Sequence, residues 1–203
     1  MDGWGKTHWM AGRLGISDLE NDLYNGRPII HRDSPIDGGV YLGQGQREAI
    51  VVDTQKYPEL GKLYGIAKVK AQKEAGILRA VFDAVSEAMP RQDNDHVEAL
   101  VRKYGAGGDR KISLDVFINE GTGVCRHDAL ACAALLELAI KDGTLDGRVS
   151  VDRNSTYLGG HAWCRYTAPT GTVYILDVAQ GFVGGLKRAS EENRWAYQRP
   201  DEC

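Results

Sequence analysis

Apolar residues recur at helical spacing between residues 66 and 89. Ile66, Val69, Ile77, Val81, Phe82, Val85 and Met89 fall on one stripe, and Lys70, Glu74, Arg79 and Asp83 lie largely off it. This predicts a packing helix over Ile66–Met89, ended by Pro90. A second helix is expected from Asn94 to Tyr104, stopping at the glycine-rich run 105–108. That run reads as a turn or helix end, because it follows no clear strand and matches no P-loop. Between Gly121 and Lys141 the pattern changes. From Ala129 to Ile140 only Glu137 is charged, and a helix apolar almost all round belongs inside the domain.

Downstream, Gly160–Tyr166 and Thr172–Ala179 have strand character, and Thr167–Gly171 between them is turn-like, so an antiparallel hairpin is expected. A loop centred on Pro169 sets Tyr166 opposite Thr172, Trp163 opposite Ile175 and His161 opposite Asp177. A slip of one residue would put His161 and Asp177 on opposite faces. Glu48–Asp53 reads as a short strand. Residues 1–45, rich in Gly, Asp and Pro, read as a loop-rich extension with one short helix near Ser17–Tyr24, ahead of a domain over 46–203.

Composition narrows the function classes. Lys and Arg number 25 against 28 Asp and Glu, a net charge of −3, so no nucleic acid or acidic membrane is expected as the main partner. No stretch approaches the roughly 18–20 apolar residues of a membrane helix, and the N-terminus lacks the apolar core of a signal peptide. A cytoplasmic location is the expectation, with export as part of a longer protein left open. Cys125, Cys132, Cys164 and Cys203 contain no CxxC pair and suggest no disulfide scaffold.

The candidate chemistry begins at Cys125, which opens the apolar helix just after Gly-Thr-Gly. The partial positive charge and unpaired N–H groups of a helix N-terminus favour a thiolate and can bind an oxyanion. On the hairpin, Asp177 interrupts an apolar strand and needs a partner, which His161 supplies. Cys164, an odd number of residues from His161, points to the other face, and Cys125 with His127 has no recognised metal spacing. No metal site or cofactor is therefore expected. Trp163 shares the face of His161, as a cover for the His–Asp pair, a cleft wall or a core residue. Arg126 reads as a salt-bridging residue of the helix's first turn.

The runs GVCRHDALACAALLE, GGHAWCRY and TVYILDVAQG together resemble the core of the transglutaminase-like proteins within the papain-like cysteine protease superfamily. The resemblance spans residues 113–181. The order Cys125, His161, Asp177, with separations of 36 and 16 residues, follows that family's catalytic order. It implies an α+β fold with a central Cys-bearing helix packed on an antiparallel sheet and a helical N-terminal half. It also implies cysteine-dependent acyl transfer on peptide or side-chain amides, with Asn119 and Gln180 as candidate oxyanion or cleft residues. Hydrolysis (protease, deamidase or amidase) of a protein or peptide substrate is preferred. Transglutaminase-type cross-linking and an inactive binding module with the same fold are the alternatives. The oligomeric state is not fixed by any of these features.

Overall fold

In the computed structural model, the described residues are 17–18, 23–43, 48–73, 76–105, 109–156, 159–192 and 194–199. The centre of the fold is the helix predicted to be apolar all round. It spans Cys125–Lys141, and every side chain from Arg126 to Leu136 is buried. Leu130, Leu135 and Leu136 are fully enclosed in the main core. Truncating one of them to alanine is expected to cost about 2–5 kcal/mol. Numbered in chain order, this helix is α5. It is preceded by α1 (Glu59–Lys73), α2 (Ile77–Ala88), α3 (Asn94–Tyr104) and α4 (Leu114–Asn119), and followed by α6 (Leu186–Glu191).

One face of α5 packs on a four-stranded, wholly antiparallel sheet in the order β12-β11-β10-β9. Its strands are β9 (Arg148–Thr156), β10 (Gly159–Thr167), β11 (Val173–Asp177) and β12 (Phe182–Gly185). α1, α2 and α4 also pack on α5. The structure is therefore mixed α+β. Among the described residues no helix is long and apolar enough to cross a membrane.

The hairpin register differs from the expected one by two residues. Cys164 faces Leu176 and Thr167 faces Val173, because the loop is Ala168–Thr172, closed by an Ala168 N–H to Thr172 O bond of 2.9 Å with Gly171 at φ 82°. Trp163 therefore does not face Ile175, nor His161 Asp177. The partner across from His161 is Asn154 on β9. A shift of two preserves the face of every side chain, so His161 and Asp177 stay on the same side of the sheet.

The long helix expected over residues 66–89 is two helices. α2 begins after Gly76, whose φ of 98° no continuing helix accommodates. The stripe had been phased by its second half. In α1 the buried residues are Leu60, Leu63 and Ala67, whereas Ile66 and Val69 are 50% and 52% exposed. The α3 helix has the expected bounds, with Asp93 capping its first turn through bonds from the Asp95 and His96 N–H groups.

Within residues 1–45, β1 (Ser17–Asp18), β2 (Leu23–Tyr24) and β3 (Arg27–Pro28) form a small antiparallel sheet. Strands, not a helix, thus occupy the described parts of Ser17–Tyr24; residues 19–22 lie outside the described set. β4 (Val40–Leu42) pairs with β5 (Ala49–Val51), and β5 runs parallel to β7 (Lys111–Ser113). Glu137, the one charged residue between Ala129 and Ile140, accepts the Ile36 and Asp37 N–H groups at 3.0 and 2.7 Å. The 36–37 turn is thereby tied to the central helix.

Candidate active site

Cys125 is the first residue of α5, partly exposed and unpaired. The Gly-Thr-Gly before it serves a close backbone approach, as Thr122–Gly123 form β8 and pair in parallel with β6 (Arg91–Gln92). A Cβ at Gly123 would lie 3.2 Å from His127 Cβ and 3.3 Å from Met89 Sδ, so only glycine sits there without displacing a neighbour. The helix start is fixed from inside by His127. Its Nδ1 accepts the Val124 N–H at 3.1 Å, and its own N–H donates to Val124 O at 2.8 Å.

His161 on β10 and Asp177 at the end of β11 are both buried, with His161 Nε2 2.5 Å from Asp177 Oδ2. Cys125 is close enough to act on the same imidazole. Burial alone would lower the His161 pKa, but the bonds to Asp177 and then Cys125, with their charges, outweigh it and raise it to about 9. The shift favours the charged form of the imidazole. Asp177 is held by two further donors, the Gln180 N–H to Oδ1 at 3.1 Å and the Tyr197 hydroxyl to Oδ2 at 2.7 Å.

The other sequence candidates lie around this group in different ways. Trp163 is buried with Ile175, Phe182, Ala189 and Tyr197, its ring 6.0 Å from that of His161. It packs within the aromatic cluster under the pair and is not an exposed wall. Asn119 is exposed at the end of α4, and the Gln180 side chain is exposed beyond β11, while its backbone secures Asp177. Arg126 makes the expected ion pair, buried rather than superficial, with Glu48 at 2.6 Å.

Two groups in the site escaped sequence reasoning. Asp128, one turn into α5 from Cys125, is buried, and neither of its oxygens has a hydrogen-bond partner by geometry. The Gln92 amide is nonetheless near enough to offset part of the burial effect. Burial, with the Asp177 charge adding to it, still raises the Asp128 carboxyl to about 7. The spacing Cys-x-x-Asp on one helix face was the available signal. The second group is Trp195 and Tyr197, two aromatics that flank the exposed Ala196 and both turn toward the fold. Among the described residues, no three His, Cys, Asp or Glu side chains cluster as metal ligands. No family model, curated protein or solved structure matches this chain.

Proposed function

We propose that this chain is a cysteine-dependent amide hydrolase built on a papain- or transglutaminase-like core. The observation that carries the reading is the buried His161–Asp177 hydrogen bond beside a cysteine at the N-terminus of the central helix. Nucleophile, base and orienting carboxylate are the three groups that acyl transfer through a thioester requires. An imidazolium and a helix N-terminus both favour thiolate over thiol.

In the proposed reaction the Cys125 sulfur attacks an amide carbonyl and a C–S bond forms. The carbonyl oxygen takes up negative charge within reach of the positive N-terminal end of α5. His161, whose charged form its neighbours favour, gives its proton to the leaving nitrogen as the C–N bond breaks. Neutral His161 then takes a proton from water, whose oxygen attacks the thioester; the acid leaves and the thiolate–imidazolium pair is restored. Asp177 holds the ring orientation and balances its charge throughout. The substrate on this reading is a peptide or protein amide and the acceptor is water. A lysine amine as acceptor would make the same intermediate a cross-linking one.

The test is a screen of peptide and protein amides that follows released ammonia, new N-termini and incorporated amine. At least one signal is expected with wild-type protein and none with Cys125→Ala. Silence of folded wild-type protein across all three readouts would favour a binding module on the same fold.

A further inference from the structure

Residues 194–199 run over the sheet beside His161, with a tight turn at Ala196 where the Tyr197 N–H donates to Trp195 O at 2.9 Å. Their exposure alternates: Arg194, Ala196 and Gln198 face outward, whereas Trp195, Tyr197 and Arg199 face the fold. Each inward residue has a specific anchor. Trp195 Nε1–H donates to Asn154 Oδ1 at 2.7 Å, and Asn154 Nδ2 donates to Ala196 O at 2.6 Å. Asn154 is the residue opposite His161 in the β9–β10 ladder. The Trp195 ring therefore stands edge-on to the imidazole, with centroids 4.9 Å apart. Tyr197 is buried against Trp163 and Phe182, and its hydroxyl donates to the same Asp177 oxygen that holds His161. Arg199 closes the segment on Asp152 at 2.8 Å and Asp33 at 3.1 Å.

We propose that Tyr197 is a positioning residue for the His161–Asp177 pair and that Trp195 fixes the imidazole from its side, so that segment 194–199 completes the active site. The proposal rests on the amide-hydrolase reading for its functional meaning. Asp177 Oδ2 is shared between a phenol and an imidazole, so the phenol both sets the carboxylate plane and weakens its hold on the imidazole proton. Burial, then the charge of Asp177, keeps the phenol protonated and hence a donor. The titratable groups facing His161 are Asp177 from β11, Cys125 and Asp128 from α5, and Tyr197 acting through Asp177. Of these, Tyr197 comes from the 194–199 segment.

Tyr197→Phe keeps the ring and its packing while removing only the donor. Asn154→Ala cuts both tethers of the Trp195 turn and leaves Tyr197 intact. The His161 imidazole is titrated by NMR in wild type and both variants, alongside the alkylation rate of Cys125. Tyr197→Phe is expected to raise the His161 midpoint by about half a pH unit or more, as the carboxylate regains its full pull. Asn154→Ala is expected to slow Cys125 alkylation several-fold. An unchanged His161 midpoint in Tyr197→Phe, with Cys125 labelling at the wild-type rate in both variants, overturns the inference. A shifted midpoint in a protein whose wild-type Cys125 labels like an ordinary thiol would uphold the positioning role and sink the hydrolase reading.

Discussion

Two buried histidines in this molecule sit beside two buried carboxylates, and burial and neighbours drive their pKa values in opposite directions. His127 Nε2 lies 3.1 Å from Glu48 Oε1, and His161 Nε2 lies 2.5 Å from Asp177 Oδ2. Burial drives the His127 pKa down to about 4, and the charge of Arg126 adds to the push against the pull of Glu48. His161 is raised to about 9 against a smaller burial penalty. The difference lies in the third partner. Glu48 is already matched by Arg126 and, despite burial, His127 and Arg126 hold its carboxyl at about 2. Asp177 receives bonds from a tyrosine hydroxyl and a backbone N–H, both neutral, so His161 supplies the positive charge. One pair is a structural tie from the residue before β5 to α5. The other keeps a proton available next to a thiol.

The comparison breaks most visibly at Asp177. Asp177→Ala should lower the His161 midpoint from about 9 and slow Cys125 alkylation at pH 7 by on the order of 10-fold, up to the roughly 30-fold set by the thiolate fraction of an ordinary thiol. At the other pair, Glu48→Ala leaves the Arg126 guanidinium buried without its carboxylate. The loss should be about 3–5 kcal/mol of stability in chemical denaturation, with Cys125 reactivity preserved in the folded fraction.

A smaller effect is expected from Asp128, whose carboxyl titrates near 7 when folded against 3.8 in the open chain. The folded protein therefore keeps a proton that the unfolded chain releases, and stability falls as pH rises from about 4 to 7. Asp128→Asn should be more stable than wild type by about 1–3 kcal/mol at pH 8 and gain nothing at pH 4. His161 contributes in the complementary window. Its stabilisation is complete below 6.5 and is lost as pH rises through about 9. The smallest change sharpens the comparison itself. Arg126→Met frees Glu48 to face His127 alone, and the His127 midpoint should rise by about one unit or more in an NMR titration.

Much of the arrangement was readable from residues close together in sequence. The bounds of α5 follow from a continuous apolar run between a glycine turn and Asp142. The shared face of His161 and Asp177 follows from strand parity, which survives a loop centred one residue later than expected. What local patterns could not supply was long-range. Glu48 and Arg126 are 78 residues apart, and Asn154 meets Trp195 across 41. No periodicity announces such pairings. The break at Gly76 was hidden for the converse reason: two helices with different buried phases read as one stripe when their apolar residues were pooled.

Cys132 and Cys164, both fully buried, serve as internal references for the Cys125 thiol. Alkylation of Cys125 by iodoacetamide across pH 5–9, read by mass spectrometry in wild type and His161→Ala, tests its activation by His161 most directly. Selective labelling of Cys125 in the acid half of this range is predicted, with that advantage lost in the variant. Labelling no faster than an ordinary thiol, or equally fast without His161, would contradict that activation.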